Sequence, residues 1–116
     1  MSFPSPIKYF DLHFYFKEWD SASVASITTL RQSFIQAFPH IKVFELVPRP
    51  VGPHPVGMFE AHVMSEEDLG KIIPWLLVNR NGHSVLVHPN TDNALNDHSI
   101  HAVFVGEKQE LKLSIF

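Results

Sequence analysis

The chain has 116 residues, enough for one domain with a single core, and its 45% hydrophobic and 18% charged content is that of an ordinary globular protein. A net charge of −3 argues against nucleic acid as a partner, no run of residues carries the apolar length of a membrane span, and there is no cysteine to supply a disulfide or a thiolate metal site. The N-terminal Met-Ser-Phe-Pro-Ser-Pro lacks the regions of a signal peptide, so the default expectation is one cytoplasmic domain spanning residues 1–116.

Residues 9–16 alternate with period two. Phe10, Leu12, Phe14 and Phe16 lie on one side, and Asp11, His13 and Tyr15 on the other, which predicts a half-buried strand. Asp20 or Ser21 can cap a helix whose apolar stripe is Val24, Ile27, Leu30, Phe34 and Phe38 and which Pro39 stops. Lys42 to Pro48 is a second strand. It leads into a stiff loop, Arg-Pro-Val-Gly-Pro-His-Pro-Val-Gly, that holds His54 between two prolines. Met58 to Met64 is a third strand, with Glu60 and His62 on its polar side.

Ser65 caps a second helix with the stripe Leu69, Ile72, Ile73, Leu76 and Leu77, and Pro74 inside it predicts a kink or break. Ser84 to His88 is a fourth strand, and Pro89 to His98 a loop or single turn. His101 to Gly106 and Lys112 to Phe116 read as two short C-terminal strands.

Strand–helix–strand–strand–helix–strand is the split βαβ, ferredoxin-like order of an α+β fold. Right-handed crossovers place the first strand centrally in a four-stranded antiparallel sheet, between the third and the fourth, with both helices on one face. Asp11, His13, Tyr15, Glu60 and His62 then share the opposite, uncovered face, and His88 ends the strand on the other flank. His40 and His83 sit in turns and read as surface residues, and His101 has no partner in view.

Eight histidines without a cysteine favour nitrogen and oxygen ligation, hence non-haem iron, manganese or catalytic zinc. Imidazoles and carboxylates on neighbouring strands have the makings of a two-His-one-carboxylate or three-His site with open positions. Tyr15, on the polar face, suits a substrate contact or acid–base role better than core packing.

The combination of His13 and Tyr15 on the first strand, Gly-Pro-His-Pro at 52–55 with Met58-Phe59-Glu60, Pro74-Trp75-Leu76, Leu-Val-His-Pro at 86–89 with Thr91, Asp97-His98 and Gly106-Glu107 resembles the DOPA 4,5-dioxygenase family over nearly the whole chain. The resemblance implies a ferredoxin-like homodimer that cleaves a catechol such as DOPA, a small aromatic substrate, with O2 and non-haem Fe(II). Another divalent metal such as Zn could occupy the same ligands. By residue matching it carries over His13, His54, His88 and His98.

His13 and His88, on adjacent strands, are the leading metal ligands, and Glu60 could supply a carboxylate. His54 and His98 could complete the coordination or act as acid–base residues, and at this point the two roles stay open. Some family members have histidine where Asp11 stands, and a glycine often found after the position of Thr91 is missing here. Two other classes compete: a non-enzymatic ferredoxin-like dimer that binds a small molecule, and a cofactor-free monooxygenase of the dimeric α+β barrel type.

Overall fold

A computed structural model describes residues 3–116. The elements are β1 (Tyr9–Phe16), α1 (Ser21–Ala37), β2 (Lys42–Val43), β3 (Gly57–Val63), α2 (Glu66–Asn79), β4 (Val85–Asn90), α3 (Ala94–Asp97) and β5 (Val103–Val105), followed by a 3-10 turn at Leu113–Ile115. The sheet order is β2-β3-β1-β4-β5, with every neighbouring pair antiparallel. The α+β ferredoxin-like order expected from the sequence is therefore present, with β1 central and a fifth strand added at the β4 edge.

The helix-side core follows from the period-two pattern. Leu12 and Phe14 of β1, with Phe59, Ala61 and Val63 of β3 and Val85 of β4, are fully buried against Ile27 and Phe34 of α1 and Ile72 and Leu76 of α2. Phe14 lies parallel to Phe59 with ring centroids 4.2 Å apart and meets Phe34 edge-on at 5.1 Å. Both helices thus cover the face that carries the phenylalanines of β1. Asp20 accepts from the Ala22 amide, and Ser65 from the Asp68 amide, as N-terminal caps. These bonds satisfy donors that the helix itself leaves free.

Four expectations change. α2 runs on through Pro74 without a break; the carbonyl that loses its amide partner belongs to Gly70. The second strand shrinks to Lys42–Val43 because the chain then bulges. Val43 pairs with Ala61 but Val47 pairs with Met58, which leaves one extra residue on the β2 side. The bulge passes close over Gly57, where a Cβ would lie 3.0 Å from the Val47 carbonyl and 2.8 Å from the Phe16 ring. The last predicted strand is instead the 3-10 turn, tied by the Lys112 amide to the Pro53 carbonyl at 2.9 Å.

The fourth change matters most for function. The sheet face away from the helices is not open. The 47–56 loop and the chain after β5 pack on it, bringing Val47, Val56 and Leu111, with Ala102 and Phe104 from the β5 edge, against Tyr15, Met58 and Leu86. Asp11, His13 and His88 are buried as a result.

Candidate metal centre

β1 supplies Asp11, His13 and Tyr15 because alternate residues of a strand share a face. The register carries the rest. Asp11 pairs with His88 across β1 and β4 and with His62 across β1 and β3, while His13 pairs with Glu60. Cross-strand partners on one face lie close enough for their side chains to meet.

His13 Nε2 and His88 Nε2 are 3.1 Å apart. Two nitrogens that share one ion at about 2.1 Å each, at tetrahedral or octahedral angles, lie about 3.0–3.4 Å from one another. The spacing therefore suits a shared ion. His88 Nδ1 donates to the Pro89 carbonyl at 2.9 Å, which fixes the tautomer and leaves the Nε2 lone pair free, the usual support for a ligating imidazole.

Asp11 Oδ2 is 3.7 Å from His88 Nε2, and Asp11, His13 and His88 each offer a ligand atom within 4.8 Å of the others. Asp11 Oδ1 and His13 Nδ1 are buried without a hydrogen-bond partner. Two imidazoles and one buried carboxylate are a donor set that fits a divalent first-row metal.

His54 lies against His13 with ring centroids 4.1 Å apart, and His98 against His88 at 4.0 Å. The four histidines carried over by the sequence are therefore in one cluster. Tyr15 Oη is 2.6 Å from His54 Nδ1. Burial raises the Tyr15 hydroxyl pKa well above its usual range, so it remains a phenol in its hydrogen bond with His54 Nδ1. Burial, then the neighbouring His98 and His88, lowers His54 to about 4. Burial likewise pushes His13 well below the ordinary range, followed by the effects of His54 and His88, and burial lowers His88. These rings are neutral near pH 7, the form that binds a metal.

His98 caps the C-terminus of α3 and donates from Nδ1 to the Ala94 carbonyl at 2.8 Å, with the Phe116 ring against its outer face at 4.5 Å. The turn that presents it is held by the buried Asp97, which accepts from the Thr91 amide at 2.8 Å and the Thr91 hydroxyl at 2.7 Å. Glu60 falls elsewhere than expected: its carboxylate bonds His62 Nε2 at 2.7 Å and groups with Asp11 and His62, not with His13 and His88.

Sequence reasoning passed over three residues. The sequence puts Asp11 on the polar face, and the structure sets it directly opposite His88 in the register. Asp97 was noted only as the neighbour of His98. His83 was read as a surface residue, yet it is buried, with Nδ1 donating to the Tyr15 carbonyl at 2.9 Å and Nε2 bonded to the Ser26 hydroxyl at 2.8 Å. No spacing rule signals that tie, because it depends on where β4 begins beneath α1. His40 is on the surface as expected, and His101 is exposed as well.

Residues 10–115 match the Dopa 4,5-dioxygenase family. An uncharacterised 21.2 kDa protein of Botryotinia fuckeliana is 34% identical over 113 residues, covering 91% of this chain and 62% of that protein. The DOPA 4,5-dioxygenase of Amanita muscaria is 34% identical over 115 residues, covering 95% of this chain and 50% of that protein. The chain thus spans only about half to three-fifths of the length of these fungal relatives. A crystal structure from Nostoc punctiforme, described as that of a candidate dioxygenase, superposes with a TM-score of 0.83 at 30% identity, covering 93% of this chain and 90% of that one.

Proposed function

The chain belongs to the Dopa 4,5-dioxygenase family, and from that premise we propose that it is a metal-dependent extradiol dioxygenase that opens the ring of a catechol such as DOPA with O2. The observation that carries the proposal is the buried convergence of His13, His88 and Asp11, flanked by His54 and His98. His13, His88 and Asp11 would hold the metal, Fe(II) by the expectation from the family. Bound there, the metal would supply one centre at which a catechol and O2 are brought together.

The other residues have roles set by their tautomers. With Tyr15 as donor to His54 Nδ1, the proton of neutral His54 would sit on Nε2, where it is available as a donor. We assign His54 to proton donation, with Tyr15 orienting its ring, and not to coordination. His98 donates from Nδ1 to a carbonyl, so its neutral form keeps an open lone pair on Nε2. That makes His98 the acceptor for the catechol proton as substrate enters. Its partly exposed position lets the proton pass on to solvent. Burial around His13 and Tyr15 keeps bulk water from the reacting centre.

The test is anaerobic Fe(II) reconstitution followed by a catechol panel with oxygen uptake as the readout. Wild-type protein should bind iron and consume O2 with at least one catechol. His13→Ala and His88→Ala should remain folded by circular dichroism but lose tight iron binding and oxygen uptake. A His88→Ala variant that binds Fe(II) as tightly as the parent would sink the assignment. Iron-loaded wild type that consumes no oxygen with any catechol would favour a binding module instead.

A further inference from the structure

Asp11 has two carboxylate oxygens and two sets of neighbours, and the centre assigned above uses only one of them. Oδ2 faces His88, while Oδ1 lies 3.2 Å from His62 Nε2. His62 Nε2 is bonded to Glu60 Oε2 at 2.7 Å, and Asp11, Glu60 and His62 each offer a ligand atom within 4.8 Å of the others. The middle strand makes this possible, since Asp11 pairs with His62 on one flank and with His88 on the other.

Two further observations separate this group from a chance surface cluster. The His62 ring is held between Tyr9 and Phe44, with centroids 5.2 and 4.8 Å away, so its direction is set by packing. Asp11 is only 8% exposed, and its Oδ1 accepts no hydrogen bond even though His62 is close. A carboxylate oxygen withdrawn from water without a hydrogen-bond donor is costly, and a cation at this point would satisfy it. One imidazole and two carboxylates suit a divalent ion such as manganese, iron or zinc.

We propose that Asp11, Glu60 and His62 form a second divalent-cation site beside the His13/His88 centre, with Asp11 bridging the two through its separate oxygens. This rests on the reading that His13, His88 and Asp11 hold a metal.

Zinc stoichiometry and affinity of the full chain test it, by isothermal titration calorimetry and by elemental analysis after gel filtration, with circular dichroism as the folding control. Wild type should take up a second zinc ion beyond the one that depends on His88. His62→Ala should lose that second ion and keep the first, whereas His88→Ala should lose the first. Asp11→Asn should weaken both by about tenfold or more. If His62→Ala fails to fold, Glu60→Gln gives the same comparison on a more exposed side chain. A wild-type chain that takes up a single zinc ion, or whose zinc uptake is unchanged by His62→Ala and Glu60→Gln, overturns the second site and leaves the first in place. Zinc uptake unaffected by His13→Ala and His88→Ala overturns the first site, and the bridge with it.

Discussion

Position fixes what each histidine can do. His54 is the clearest case, since burial and neighbouring rings lower its pKa from 6.5 to about 4. An unfolded chain binds a proton at this residue near pH 6.5, and the folded chain does so only near 4. Between those values the unfolded state holds more protons, so acid favours unfolding. The stabilisation is complete above pH 6.5 and is lost by about pH 4, a contribution of about 3 kcal/mol. Urea unfolding of metal-free protein across this window should show stability falling with pH, and His54→Gln should flatten the slope. For catalysis, His54→Ala should lower the turnover rate by about 10²–10⁴-fold while metal content stays unchanged, if it is the proton donor. Tyr15→Phe removes the orienting donor and should reduce the rate less, again with metal retained. Steady-state oxygen uptake and elemental analysis on the same samples check both. The residue types of the cluster were legible in the sequence. The placement of Asp11 beside His88 was not, because it depends on the exact pairing of β1 with β4.

Elements with strict period were read most accurately. β1 matches the expected residues 9–16, and its alternation sorts Leu12 and Phe14 to the helices and His13 and Tyr15 to the site. Leu12 and Phe14 are fully buried, so Leu12→Ala or Phe14→Ala should each cost on the order of 2–5 kcal/mol in chemical unfolding. Because that core lies on the other side of the sheet, the loss should appear in stability before it appears in metal affinity. What failed to read were the segments whose shape comes from contacts. The β2 bulge has no turn signature, and apolar alternation at residues 112–116 looks like a strand although those residues form a 3-10 turn. α3 is a single helical turn whose placement rests on Asp97. Asp97→Ala should therefore leave the metal site loaded and the fold intact while slowing oxygen uptake, because His98 loses its fixed position. Unchanged activity in that variant would remove Asp97 from the positioning of His98.

Across the molecule, the two sides of the sheet have different jobs: one is covered by helices and holds the fold together, the other is covered by loops and houses the histidines. Among the described residues no helix is long and apolar enough to cross a membrane. The homodimer is implied by the family resemblance alone, since the sheet face away from the helices is packed within one chain. Phe44, just past β2, is 36% exposed, and Leu46 packs against the helix-side core. Sedimentation velocity at micromolar concentration decides the oligomeric state independently of the site.

The proline-bounded run at 53–55 has a practical corollary for measuring how that loop cover moves. Pro53 and Pro55 carry no amide proton, so His54 holds the single exchangeable backbone hydrogen of the run, bonded to the Val51 carbonyl at 3.0 Å. Deuterium uptake at that one amide is therefore a local clock for opening of the lid over the histidine cluster, uncontaminated by its immediate neighbours.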